Sequence, residues 1–340
     1  MVTPDYIIKL DGKEIENSTR ASILEVNCDL QLRIASELCL VIHDPDFKIT
    51  SAGTFRLGVE IELKIGFGSD FYPMMLGEIV SIEPQLSEAS GSLLIVRAYD
   101  KSYRLRRHKP ARPAFLEMRD SDIAEKICRD AGLHADIEQT PIKHEYLQQT
   151  GSNWRFLKNR AAANGYELYM HLDTLAFRHS RESTVHSVRR GEDLLQLKLR
   201  LSAVDQPNVH VVRGWDAKQK QSLVGKTSQD KNEATFAKNK LGAKITAEAF
   251  GESRSVLFDA PPVSQEEADH RAKAEFKQKA RSFVEGEGLS YGNPEMKAGD
   301  KLELHKMGDP FSGKYDLIQV RHVINGHTGY RTKFSIEKDA

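Results

Sequence analysis

The sequence predicts an α+β, β-dominated fold: two similar small β-barrel domains with an α+β domain between and around them. Three observations predict it. Short runs of alternating apolar and polar residues, cut by Gly, Pro and Asp clusters, fill residues 5–103 and return near 194–213 and 285–338. A glycine-marked pattern occurs twice. Helical spacing is confined to the middle of the chain and to one stretch before residue 285.

The repeated pattern lies in Leu57 to Leu63 and Ala298 to Leu304, which share G-x-x-[IL]-E-L and align Gly58 with Gly299. Farther on, Gly77 to Ile82 and Gly313 to Ile318 share G-x-[IY]-x-x-I. A glycine at the head of a strand suits a turn with positive φ or a bulge. Hairpins of unrelated proteins share such features, so pattern alone leaves open both chance likeness and a duplicated barrel.

Residues 1–103 are expected to form the first barrel. Tyr6 to Ile8 opens it, and Ser36 to Ile42 is a strand stopped by His43-Asp44-Pro45-Asp46. Phe55 to Ile65, Met74 to Ile82 and Leu93 to Tyr99 follow as strands. Residues 104–185 are expected to form the α+β domain. Arg97 to Arg112 carries seven basic residues against Asp100 alone, yet only Tyr99 and Tyr103 are interleaved. A solvated link or a protein-facing strip fits better than a nucleic-acid site. Ile123, Ile127 and Ala131 make one helical stripe, started by Asp120, Ser121 or Asp122 and ended by Gly132. Ser152 caps a second helix, Asn153 to Ala163, ended by Asn164-Gly165, with Trp154, Leu157 and Ala161 on one face. Glu167 to Met170 and Leu175 to Arg178 are strands.

The second barrel is expected to be discontinuous, residues 186–216 and 285–340, with 217–284 inserted as a loop and a helix that pack with the α+β domain. Leu195, Leu197, Leu199 and Leu201 alternate with Gln196, Lys198 and Arg200. Asn208 to Arg213 is a further strand. Lys218 to Lys240 is polar and weakly patterned, which predicts a mobile loop. Ser264-Gln265-Glu266-Glu267 is a capping box, and Ala268, Ala272, Phe276 and Ala280 recur every four residues behind it, to about Val284.

The 340 residues allow two or three domains, and Lys+Arg 49 balances Asp+Glu 49. That parity gives no general attraction to nucleic acid or anionic membrane. No apolar run approaches the ~20 residues of a membrane span. The N-terminus has no basic stretch followed by an apolar one, so synthesis and retention in the cytoplasm are expected. Cys28, Cys39 and Cys128 read as buried thiols.

No motif carries chemistry. Gly225-Lys226-Thr227 lacks the first glycine of a phosphate loop, since position 220 is Lys220. Gly66-Phe67-Gly68 lacks the third glycine of a dinucleotide turn. His179 and His186 have no ligand partner at metal-site spacing. No catalytic, cofactor or metal residue is expected, and the chain reads as no enzyme. A triad assembled from distant residues stays open at this level.

Gln149 to Ala161 followed by Asn164-Gly165-Tyr166 resembles the signature helix of the phage late control D family, tail or baseplate hub proteins of contractile phages. The hub part of type VI secretion VgrG spike proteins is similar. The signature residues are Trp154, Phe156, Leu157 and Gly165. Phe55-x-x-Gly58, Gly77-Glu78-Ile79, Arg97 to Asp100, Ser121 to Ala124, Gly214-Trp215-Asp216, Gly299-Asp300, Phe311-Ser312-Gly313-x-Tyr315 and Val320-x-His322 agree in the same order.

The resemblance implies a homotrimeric hub and symmetry adaptor. One face would meet a hexameric tail tube protein and the other a trimeric spike protein, with a tape-measure protein or cargo in the lumen. Three chains with two barrels each would present six like surfaces to the tube. Gly58, Gly77, Gly299 and Gly313 then become turn positions of the duplicated barrels. Assembly in the cytoplasm would precede incorporation into a phage tail or tail-like particle. VgrG proteins continue into a further barrel and needle, whereas this chain ends at Ala340, so a separate spike protein is expected. Two other classes remain: a tail-tip cell-wall hydrolase, which needs convergent carboxylates or a nucleophile, and a receptor- or carbohydrate-binding β-protein, which needs exposed aromatic platforms.

Overall fold

The computed structural model describes residues 3–87, 91–107, 114–180, 184–216, 218–228, 242–257, 262–308 and 311–338. The first unit comprises β1 (Pro4–Leu10), β2 (Lys13–Glu14), α1 (Asn17–Ala21), β3 (Ile23–Gln31), β4 (Glu37–His43), α2 (Lys48–Ala52), β5 (Glu60–Phe67), β6 (Asp70–Ser87) and β7 (Gly91–Asp100). A middle module follows: α3 (Tyr103–Arg106), β8 (Ala114–Arg119), α4 (Asp120–Ala131), β9 (His134–Ile137), β10 (Lys143–Gln148), α5 (Asn153–Asn164), β11 (Glu167–His171) and β12 (Thr174–Arg178). Next come β13 (Val185–Val188), β14 (Leu194–Leu201), β15 (Val209–Asp216), β16 (Gln221–Ser228), α6 (Gly242–Phe250), β17 (Arg254–Leu257) and α7 (Gln265–Arg281). The chain ends with β18 (Val284–Tyr291), β19 (Lys301–Leu304), β20 (Gly313–Asn325) and β21 (Gly329–Lys338).

The fold is α+β and β-dominated, but its two β-units are not separate closed barrels. They are fused into one open 13-stranded sheet. The fusion follows from the length of β20. Its first half pairs with β19, its second half pairs with β3, and β21 runs along the other side. Val320 lies opposite Leu30 and His322 opposite Cys28. Alternation sorts the faces: Val26, Cys28 and Leu30 enter the core, while Glu25, Asn27 and Asp29 point away from it. One apolar cluster lies under the first unit, around Leu40, Ile61, Leu63 and Val96, and another under the second, around Tyr315, Leu317, Val320 and Phe334.

Register establishes the duplication. The Gly58 N–H donates to the Ile79 carbonyl at 2.8 Å, and the Gly299 N–H donates to the Leu317 carbonyl at 2.8 Å. Both glycines have positive φ, 82° and 96°. The β6–β7 ladder has a bulge between Ile79 and Ser81; the β20–β21 ladder has one between Leu317 and Gln319. The β3–β4 ladder shifts between Ile23 and Glu25; the β14–β18 ladder shifts between Leu194 and Gln196. A bulge re-aims a strand at a specific residue, so coincident bulges mark equivalent strands. Thus β3, β4, β7, β6 and β5 correspond to β14, β18, β21, β20 and β19. The outermost strands differ: β1 is antiparallel to β5, whereas β13 is parallel to β19.

The second pair of glycines is not equivalent. Gly77 opposes Ile61, and the matching Leu302 is opposed by Tyr315. Gly77 is therefore inside a strand and not at a turn. A Cβ there would meet the Tyr99 carbonyl oxygen at 2.4 Å and Met75 Cε at 2.5 Å. Gly313 begins β20 with φ 122°, two positions before the true counterpart. Tyr315 itself is buried, and its hydroxyl donates to the Phe311 carbonyl at 2.7 Å.

The stretch 208–216 also departs from expectation. As β15 it leaves the large sheet and pairs with β16 and β17, and α7 covers the resulting three-stranded sheet. Close packing explains this: a Cβ on Gly225 would sit 2.0 Å from the Ala268 carbonyl oxygen. Residues 221–228 are hence a strand and not a loop; residues 229–240 of the expected mobile loop lie outside the described residues. Helices α4, α5 and α7 form where helical spacing places them. Gly132 and Gly165 close α4 and α5 in left-handed conformation, and Ser264 Oγ accepts from the Glu267 N–H at the start of α7.

Gly77→Ala should cost about 2–3 kcal/mol, because backbone must move. Gly58→Ala, with open space but positive φ, should cost about 1 kcal/mol. Urea unfolding monitored by circular dichroism measures both, and equal costs would contradict the close approach at Gly77.

Candidate assembly surface

The charged side chains that sequence reading left as possible sites are consumed in pairs. Arg97 bonds Glu37 at 2.8 Å and Glu83 at 3.3 Å, Lys101 meets Glu60 at 2.7 Å, and Arg104 pairs with Glu78. The expected basic strip is thus neutralised at Arg97, Lys101 and Arg104, along the edge of the first unit, and its members Lys109 and Arg112 lie outside the described residues. Arg106 instead lies over the Trp154 ring, 4.7 Å from its centroid.

The signature helix is a core element. Trp154, Phe156 and Leu157 are buried in the middle module among Phe115, Ile123 and Phe177. Gly165 ends α5 with φ 67°, the left-handed conformation that favours glycine, and faces Ala274 on α7 at ordinary contact distance. The same region holds a buried ionic cluster. Arg160 donates to both Asp120 oxygens, at 2.6 and 2.9 Å, while His144 Nε2 lies 3.3 Å from Asp120 and Asn164 donates to it at 2.7 Å. Burial alone would raise the Asp120 carboxyl, but His144 and Arg160 outweigh it and lower the pKa to about 2. The cluster ties α4, β10 and α5 together. Its carboxylate is sealed and shared with a guanidinium, unsuited to general-base work.

A cleft of about 350 Å³ lies between α5, α7 and the large sheet. Arg33 grips Glu337 with two bonds of 2.9 Å, Arg281 bonds Glu167 at 3.1 Å, and Lys301 bonds Asp316 at 2.9 Å. The first pair joins the two β-units, the second joins α7 to the middle module, and the third ties β19 to β20. Among the described residues no group of three His, Cys, Asp or Glu side chains could hold a metal ion, and no helix is long and apolar enough to cross a membrane.

What the large sheet offers is a polar face and open edges, among them those of β14 and the far half of β6. Glu25, Asp29, Glu37 and Glu83 surround Arg97 on the face of the first unit turned from its core. The corresponding face of the second unit carries Lys198, Arg200, Arg321, Arg331 and Lys333 with Glu285, Glu287 and Glu337. The first unit's face is acidic and the second's basic. Along the edges, Leu86 is 75% exposed, Leu195 40% and Leu201 37%. Sequence reading singled out Leu195 to Leu201 as a strand but assigned no role to its edge.

Where the two units meet, the fully buried His322 binds two elements. Nε2–H donates to the Met296 carbonyl at 3.1 Å and Nδ1 accepts from the Tyr330 hydroxyl at 2.8 Å. The neutral ring protonated at Nε2 satisfies both bonds. Burial lowers the His322 pKa to about 4, against the opposing bond to Met296.

The family described as the Alg8 N-terminal domain matches residues 2–326. No curated protein matches the sequence. Among solved structures, the 43 kDa tail protein of prophage MuSo2 from Shewanella oneidensis is similar with a TM-score of 0.73 at 12% identity, covering 98% of this chain and 98% of that one. A tail protein from Neisseria meningitidis is similar with a TM-score of 0.71 at 13% identity, covering 99% and 97%. An E. coli component of the type VI secretion system, itself described as similar to phage T4 tail proteins, has a TM-score of 0.61 at 10% identity, covering 98% and 77%. These likenesses establish a shared fold.

The neutral His322 gives a pH dependence of known sign. Its folded pKa lies below the unfolded value of about 6.5, so the unfolded chain binds more protons between about pH 6.5 and 4. Stability is complete above that window and falls by roughly 3 kcal/mol through it. Burial lowers His171, His210 and His270 too, so each loses stability in the same direction as pH falls. The difference between wild type and His322→Leu in chemical denaturation at stepped pH isolates the His322 part. Parallel pH profiles for the two proteins would refute the assignment.

Proposed function

The chain belongs to the Alg8 N-terminal domain family, and we propose that it serves as a structural hub of a contractile injection particle. In this reading three copies form a ring whose six β-units face a hexameric tail tube protein. The opposite face remains threefold and seats a trimeric spike protein. A tape-measure protein or cargo would pass through the lumen. The role is structural and not enzymatic, in a phage tail or a tail-like particle.

The observation that carries this reading is the duplicated register, with bulges at equivalent residues in both units. Two units this alike in one chain let a trimer offer six near-equivalent contacts, and closed symmetry then fixes where those contacts fall. The shared fold with prophage tail proteins over nearly the full length of both chains supports it. So does the pairing of the buried charged groups, which leaves them holding modules together. The polar face fits a lumen wall, since an apolar wall would hold passing protein.

Light scattering of the purified full-length chain should give three chain masses, either alone or, with tube and spike proteins added, after their own mass is subtracted. Negative-stain projections should show a ring of six lobes. A chain that stays monomeric in every mixture refutes the hub.

A further inference from the structure

We infer that the free edge of β14 pairs with the far half of β6 in a second copy of this chain, in the register of the β20–β3 join. The inference rests on the hub reading and adds to it the residues in contact. Within one chain, β20 residues 319–325 pair with β3 residues 31–25. By the duplication, β20 corresponds to β6 and β3 to β14. The equivalent segments are 81–87 and 202–196; each is paired on one side, to β7 and to β18, and has its other edge unpartnered among the described residues. Pairing of β5 with β6 stops at Glu60 and Glu78, and β14 is bonded on one side only, by β18.

Carrying the register across places Ile82 opposite Leu201, Glu83 opposite Arg200, Gln85 opposite Lys198 and Leu86 opposite Leu197. The chemistry of these pairs is what the inference stands on. In the existing join, Asp29 on β3 is bridged by Arg321 on β20 at 2.6 Å. At the equivalent positions Arg200 stands on β14 and Glu83 on β6. Both signs are reversed together, so the pair stays attractive. Arg200 is exposed and makes no ion pair among the described residues. On the core side, the join matches Leu30 with Val320 and Val26 with Ile324. The new contact matches Leu201 with Ile82 and Leu197 with Leu86, covering the exposed Leu86 and Leu201.

Pro84 lies in this segment and withholds at most one donor from the ladder. A proline on an edge also discourages pairing with arbitrary strands, so side-chain complementarity selects the partner. Each copy presents one β6 edge and one β14 edge. Such a head-to-tail contact closes into a ring when its rotation permits. With three copies, intrachain joins and interchain joins alternate around six units.

Opposed residues in an antiparallel pair have Cα atoms about 4.5–5.5 Å apart, within disulfide range. Full-length Glu83→Cys/Arg200→Cys should form covalent dimers and trimers on mild oxidation, seen on non-reducing gels. Neither single variant should do so, and these controls cover the native thiols, of which Cys28 and Cys128 are buried. Arg200→Glu should weaken association at least about tenfold in sedimentation, and adding Glu83→Arg should restore it. An oligomer that forms without this cross-link and ignores Arg200→Glu overturns the contact and leaves the hub standing. A chain that is monomeric even with tube and spike proteins overturns both.

Discussion

The architecture depends on one strand that serves two sheets. β20 gives half of one edge to β19 and the other half to β3. The ladder alone would tolerate a slip in register. A one-residue slip would turn Val26, Cys28 and Leu30 out of the core and Asp29 into it. Burial of those residues, the Asp29–Arg321 bridge and the neutral His322 at the same level hold the register. Two units that could have been independent become one body. Their mutual angle is then set by backbone hydrogen bonds and not by a linker.

Charge pairs fix how the parts of that body meet. Arg33 reaches from the loop after β3 to Glu337 on β21 and so joins the two β-units, and Arg281 at the end of α7 reaches Glu167 on β11 of the middle module. Glu167 is mostly buried, and burial raises its carboxyl above the usual range even beside Arg281. Buried pairs of this kind add little net stability, because desolvation offsets attraction. They are strict about geometry, since either partner left alone is costly. Their contribution here is orientation.

Much of the fold was legible in the sequence because alternation and caps report local structure. Ser152, Gly165 and Ser264 mark helix ends where they fall, and Leu195 to Leu201 reads as the strand it becomes. The join was missed. Asn27 and Asp29 are poor strand formers, and they obscure an alternation that Val26, Cys28 and Leu30 keep. What justifies Asp29, the side chains of Arg321 and Gln319, lies near the other end of the chain. Gly77 was misread for the opposite reason. A glycine in a pattern suggests a turn, whereas its cause is the backbone of Tyr99 across the ladder. The candidate surface was legible only as a repeat; that its two halves carry opposite charge becomes visible once strands are paired. The shift of β15 into a separate sheet depends on its contact with α7, which local pattern does not encode.

The order in which the chain is made gives the β20–β3 join a temporal side. The first unit is complete by Asp100, but Asp29 waits 292 residues for Arg321. During synthesis, β3 is an open edge with unpaired backbone, the kind of strand that recruits a neighbouring nascent chain. Glu25 and Asp29 put like charges along that edge. Two nascent copies meeting edge to edge would set acid against acid, a repulsion that the arrival of Arg321 turns into attraction. The residues that lock the finished body also keep unfinished ones apart.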